Sequence, residues 1–115
     1  MPKKILVIDD EEMILNAIKV ILEDMGYEVA TFQNPSDGAE EAIKRNYDLI
    51  IVDLRMPGKT GDAITKEIIE KRPDAKILIL TGYPMDPLAK KALEAGAVSL
   101  VKKPFEIGKL LDFLK

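Results

Sequence analysis

The sequence predicts a doubly wound α/β sandwich: a five-stranded parallel sheet with helices on both faces. Three observations lead there. Short β-type runs alternate five times with helical patterns along 115 residues. Three of those runs, Ile5-Leu6-Val7-Ile8, Leu49-Ile50-Ile51-Val52 and Ile77-Leu78-Ile79-Leu80, are apolar at every position. Parallel strands covered on both sides by helices need that composition. No linker, internal repeat or low-complexity tract interrupts the alternation, so residues 1–115 read as a single domain of ordinary length.

Taken in order, Ile5-Leu6-Val7-Ile8 is the first strand. Met13, Ile14, Ala17, Ile18, Ile21, Leu22 and Met25 then recur at helical spacing, and Gly26 supplies the stop. Glu28-Val29-Ala30-Thr31-Phe32 mixes polar and apolar residues and reads as an edge strand. Asn34-Pro35 is an N-cap followed by proline at the first helical position, opening a helix to about Arg45. Leu49-Ile50-Ile51-Val52 leads into a helix from about Gly61 to Arg72, closed by Pro73. After Ile77-Leu78-Ile79-Leu80, a loop with Pro84 and Pro87 delays the fourth helix, since each proline fixes its φ and lacks an N–H. That helix ends near Glu94-Ala95-Gly96. Val98-Ser99-Leu100-Val101 is the fifth strand, and the last helix covers Ile107 to Leu114.

Composition removes whole classes of chemistry. With no cysteine and no histidine there is no disulfide, no Cys/His zinc site, no thiol nucleophile and no Ser-His-Asp arrangement. Any metal must bind through oxygen, which leaves magnesium, calcium or manganese. The net charge of −3 is spread with both signs interleaved, which gives no footprint for nucleic acid. Apolar runs are far shorter than the ~20 residues that span a bilayer. The N-terminus does not read as an export signal, so the cytoplasm is the expected location.

Open parallel sheets bind ligands beyond the carboxyl ends of their strands. At those ends stand Asp9-Asp10 with Glu11-Glu12, then Asp53, Thr81 and Lys102-Lys103-Pro104. Carboxylates gathered at one edge repel, so Asp9, Asp10 and Asp53 need a cation or an elevated pKa. Magnesium suits a site with few carboxylates and several waters. Each residue has a plainer use as well. Asp10 to Glu12 can cap the next helix, Asp53 and Thr81 can be turn residues, and Lys103 can be a solvated lysine. Those uses lose force jointly, because the fold gathers all of these residues at one edge.

On these blocks the sequence resembles the receiver domains of two-component response regulators. The blocks are Ile8-Asp9-Asp10-Glu11-Glu12, Asp53-Leu54-Arg55-Met56-Pro57-Gly58 with Gly61 after it, Thr81-Gly82, and Lys103-Pro104-Phe105. Their order and spacing match the family over essentially the whole chain. The resemblance implies a flavodoxin-like fold with strand order 2-1-3-4-5, the order given for the chemotaxis member. It implies that Asp53 accepts a phosphoryl group from the phosphohistidine of a sensor histidine kinase. Asp10, Asp53 and the backbone carbonyl of Arg55 would bind Mg²⁺ directly, and Asp9 through water. Thr81 and Lys103 would each serve a phosphoryl oxygen, and Lys103-Pro104 would be a cis peptide. The protein would then be a regulatory phospho-acceptor that assists its own Mg²⁺-dependent phosphorylation and dephosphorylation, not an enzyme acting on an outside substrate.

The chain departs from the family at Leu100, three positions before Lys103, where many receivers carry an aromatic. It is read as a strand residue packed against the fifth helix, which leaves loop repositioning to carry the output. Arg55 and Tyr83 occupy the two variable positions flanking the acceptor, and both are large enough to shield a phosphoryl group. The kinase would dock on the first helix and the loop after the fifth strand. Asn16, Lys19 and Glu23 are the exposed candidates there, with Met13, Ile14 and Ala17 offering an apolar patch. The Met1 start and the lack of a trailing linker lean toward a stand-alone receiver over one excised from a longer regulator with a fused output domain.

Other classes fit less well. Gly58-Lys59-Thr60 suggests a P-loop, but the motif needs glycine where Asp53 stands. The acids after the first strand would repel a flavin phosphate, and a dinucleotide fingerprint is missing. A haloacid-type phosphatase would want an acid at position 55, where there is arginine. The alternative from another class is a protein-interaction module that keeps the receiver shell without being phosphorylated.

Overall fold

The computed structural model describes residues 2–104 and 107–114. Ten elements alternate: β1 Lys4–Ile8, α1 Glu12–Asp24, β2 Glu28–Phe32, α2 Pro35–Lys44, β3 Leu49–Asp53, α3 Gly61–Lys71, β4 Ile77–Thr81, α4 Pro87–Ala95, β5 Ser99–Lys102 and α5 Ile107–Asp112. The five strands are parallel in the order β2-β1-β3-β4-β5, as the resemblance implies, and β2 stands at an edge as its mixed composition predicts. β3 and β4 are buried at every position, which is why they could be entirely apolar up to their last residues.

Two hydrophobic layers sandwich the sheet. On one face Leu6, Ile8, Ile50, Val52, Ile77 and Ile79 pack against Ala39 and Ala42 of α2, Ile64 and Ile68 of α3, and Ala89 and Ala92 of α4. On the other, Ile5, Val7, Leu49, Ile51, Leu78 and Leu80 meet Leu15, Ile18 and Leu22 of α1 and Leu110 of α5. Successive strand residues alternate between the layers because strand side chains repeat every two positions.

The helix ends follow their local chemistry. Asn34 accepts from the Asp37 N–H at 3.0 Å and Pro35 follows it, so α2 opens where the sequence predicts. Gly26 takes φ +96° just beyond α1 and Gly96 takes φ +121° after α4, values that an L side chain rarely adopts. Pro87 is the first residue of α4, so the fourth helix does start late.

Four expectations need correction. The buried stripe of α1 is Leu15, Ile18 and Leu22; Leu15 is absent from the apolar list, and Ile21 and Met25 of that list are exposed, whereas the exposure of Met13 agrees with its place in the apolar patch. Leu15 sits in phase with Ile18 and Leu22, and the longer apolar list blurred that phase. Leu100 packs toward the layer of α2, α3 and α4, not against α5; its neighbour Val101 faces α5 instead. The strand begins at Ser99, one residue later than read, and that offset accompanies the misplaced face of Leu100. The last helix closes at Asp112 and continues only as turns through Leu114.

Candidate functional site

Parallel pairing brings the ends of β1, β3, β4 and β5 to one edge of the sheet. Asp9 and Asp10 follow β1, Asp53 closes β3, Thr81 closes β4 and Lys103 follows β5. The Lys103 N–H donates to the Thr81 carbonyl at 2.8 Å, which extends the β4–β5 pairing and fixes where the lysine leaves the sheet. Lys103-Pro104 is a cis peptide bond, as the resemblance implies, while Phe105 of the same block lies outside the described residues.

The Lys103 ammonium is the centre of charge. It lies 2.9 Å from Asp53 Oδ1, 3.3 Å from Asp9 Oδ2 and 3.6 Å from Glu11 Oε1. Lys103 is therefore no solvated surface lysine, and Asp53 is no turn residue, since the turn glycine Gly58 (φ +90°) stands five positions further on. The bond ahead of α1 comes from Asp9, outside the expected Asp10 to Glu12: its Oδ1 accepts the Glu11 N–H at 2.9 Å, while Glu11 at the N-cap makes no side-chain cap.

Burial dominates the electrostatics. It pushes the Asp53 carboxyl up to about 6, with the neighbouring charges of Asp9 and Asp10 adding to the rise and Lys103 opposing it. Asp9 is raised for the same first reason, against the Glu11 N–H and Lys103. For Lys103, burial works against the charge, but the hydrogen bond it donates to Asp53 and the carboxylates of Asp53 and Asp9 outweigh it and hold its pKa above the ordinary lysine value.

This donor set fits an oxygen-seeking cation. One oxygen from each of Asp9, Asp10 and Asp53 lies within 4.8 Å of the others. Asp9 Oδ2 is fully buried and makes no directed hydrogen bond, although the Lys103 ammonium is near it. A buried carboxylate oxygen left in that state is unusual and calls for a cation or water.

Two glycines and two loops frame the site. A Cβ at Gly61 would stand 2.8 Å from the Asp53 carbonyl oxygen and 2.9 Å from Leu54 Cα, so only glycine lets α3 start this close to the end of β3. Leu54 and Met56 turn into the core, which leaves Arg55 between them facing outward. Its guanidinium meets Asp86 in the loop after β4 with two bonds of 2.8 Å. Tyr83 is exposed. Thr81 is buried at 3%, and its hydroxyl accepts from the Tyr83 N–H at 3.0 Å and donates to the Tyr83 carbonyl at 3.2 Å. The turn use of Thr81 is thus real in this arrangement.

Asp86 is the residue that sequence reasoning missed. Asp86-Pro87 repeats the capping signal of Asn34-Pro35, and Asp86 does accept from the Leu88 N–H at 2.9 Å. Nothing local pointed to Arg55, 31 positions away. A groove of about 610 Å³ lies elsewhere, between β2 and the end of α2. Its polar groups bond one another: Tyr47 to Glu41 at 2.5 Å, and Arg72 to the Ile43 carbonyl and to Asn46.

Residues 5–115 match the model of the response regulator receiver domain. The chain is 35% identical over 114 residues to the chemotaxis protein CheY of Treponema pallidum, covering 96% of this chain and 79% of that protein. It spans about half the length of several curated transcriptional regulators that it also matches. Among solved structures, the receiver domain of the sensor histidine kinase PA1611 from Pseudomonas aeruginosa superposes with TM-score 0.88 at 27% identity, covering 99% and 95% of the two chains. That receiver holds a magnesium ion in its active-site cleft. A response regulator from Burkholderia pseudomallei, with a phosphorylated aspartic acid and calcium, gives TM-score 0.88 at 32% identity over 98% of this chain and 66% of that one. The chain belongs to the response regulator receiver family, a signalling family whose general function is to accept a phosphoryl group.

Proposed function

We infer that Asp53 is the acceptor and that residues 1–115 work as one receiver, phosphorylated by a sensor histidine kinase. One observation carries the assignment: a largely buried carboxylate held 2.9 Å from an ammonium, with two further carboxylates beside it. Residues 1–115 contain no histidine, so the phosphohistidine lies outside them. An Asp53 oxygen attacks phosphorus in line with the donor. The P–N bond breaks, its electron pair returns to the imidazole, and the phosphoryl group remains on Asp53 as an acyl phosphate. Lys103 neutralises an equatorial oxygen, and Thr81 donates its hydroxyl to another once it leaves Tyr83.

Asp10, Asp53 and the Arg55 carbonyl would hold Mg²⁺, with Asp9 acting through water. When bound, the ion supplies positive charge for the phosphoryl oxygens. The buried Asp9 oxygen, near Lys103 but without a directed hydrogen bond, supports an ion or water beside it. Movement of Thr81 and Lys103 toward the phosphoryl group then shifts the loop after β4 and the face of α4 between two arrangements, and that face meets a protein partner.

For the kinase, α1 is the favoured contact. Met13, Asn16, Ala17, Val20 and Glu23 are all exposed along it. Among the described residues no helix is long and apolar enough to cross a membrane. The cytoplasm, where a kinase and a regulator would meet, is the location we assign.

Incubation with acetyl phosphate, with and without Mg²⁺, followed by intact mass, tests the reading. The expected result is a Mg²⁺-dependent gain of one phosphoryl group that Asp53→Ala abolishes. A folded protein that gains nothing, while another receiver reacts in parallel, would leave a protein-interaction module as the function.

A further inference from the structure

We propose that Arg55 and Asp86 form a latch that holds the loop after β4 in its resting arrangement, with the Thr81 hydroxyl bound to Tyr83; this rests on the receiver reading above. The Arg55 guanidinium donates from Nε to Asp86 Oδ2 and from Nη2 to Asp86 Oδ1, both at 2.8 Å. A bidentate pair of this kind fixes orientation as well as distance. Asp86 passes the constraint on. Its N–H donates to the Tyr83 carbonyl at 3.0 Å, and that carbonyl also accepts the Thr81 hydroxyl at 3.2 Å. An unbroken chain of hydrogen bonds therefore links Arg55 to Thr81 through Asp86 and Tyr83.

The two ends of this chain differ in freedom. Arg55 stands between Leu54 and Met56, both buried, and the Leu54 N–H is bonded to the Leu80 carbonyl at 2.9 Å. Residues 82–85 of the loop are all exposed and bury little apolar surface, so polar contacts supply most of what holds it. For Thr81 to serve a phosphoryl group on Asp53, its hydroxyl must give up Tyr83. A shift of Tyr83 and Asp86 would then pull against an arginine whose backbone stands between two buried neighbours. The latch opposes the active arrangement, and opening it is part of activation.

A ligand that binds only a minor arrangement has its apparent affinity reduced by the population of that arrangement. Breaking the latch raises that population. The Arg55 side chain is 63% exposed, so the effect is that of an exposed pair: about two- to fivefold. The probe is beryllofluoride with Mg²⁺, titrated by calorimetry into wild type, Asp86→Asn, Arg55→Gln and the double variant, with circular dichroism confirming the fold. Asparagine keeps the cap of α4 while removing the charge.

Both single variants are expected to bind the mimic more tightly, and the double variant no more tightly than either, because the pair acts as a unit. Charge alone predicts opposite signs: losing Asp86 would favour an anion and losing Arg55 would disfavour it. Tightening in Asp86→Asn alone, or in neither, overturns the latch while leaving the receiver reading intact. Failure of wild type to bind the mimic overturns both.

Discussion

Asp53 ionises at a cost that folding itself imposes, since burial sets its carboxyl near 6 against an ordinary value of 3.8. With the folded pKa the higher of the two, the folded state holds the proton more tightly. Below 3.8 both states are protonated and the cost is absent; it grows as pH rises to about 6 and is fully present above that. Metal-free Asp53→Asn is therefore expected to be more stable than wild type at neutral pH, by on the order of 1–3 kcal/mol, since one pKa unit is worth about 1.4 kcal/mol. Urea unfolding at several pH values checks this: the gain must shrink as pH falls through the window, and a constant gain would place its origin outside Asp53 ionisation. The crowding of like charges was legible in the sequence, because strand-end position alone gathers Asp9, Asp10 and Asp53. What those charges do with their lone pairs was not. The turn use of Thr81 was legible beside Gly82, but the grip of Arg55 on Asp86 depends on side-chain directions in loops, where neither strand nor helix periodicity constrains them.

At the scale of elements, the strands were the easiest to read and α1 the hardest. β3 and β4 have helices on both faces, so every position is apolar and their spans are plain. Capping chemistry is local, which is why Asn34-Pro35 opened α2 at the right residue. In α1, by contrast, apolar residues run most of the way round, and periodicity could not choose between the buried stripe and an exposed one. Substitution separates them. Leu15→Ala is expected to cost about 2–5 kcal/mol as a core truncation. Met13→Ala, at 84% exposure, should stay within about 0.5 kcal/mol. Thermal unfolding compares the two, and equal losses would mean that both residues pack in the core. The face of Leu100 was misread for a related reason: a strand's two faces are told apart only by register, and the run Val98-Ser99-Leu100-Val101 is too short to fix it.

For the molecule as a whole, the acidic edge links ion binding to stability. An ion that binds only the folded state stabilises it by about 1.4 kcal/mol at ten times its dissociation constant. Thermal midpoints are expected to rise with Mg²⁺ and to fall back on chelation, with Asp53→Ala responding far less than wild type; equal responses would place the ion elsewhere. The two hydrophobic layers carry one more consequence. α1 lies over one face of the sheet and α4 over the other, with the acidic edge between them. On the docking proposed above, a molecule seated on α4 leaves α1 uncovered, so a phosphate donor and a target need not take turns. The phosphate could be renewed while the target stays bound, and the duration of the signal would then follow the donor's supply, not the target's departure.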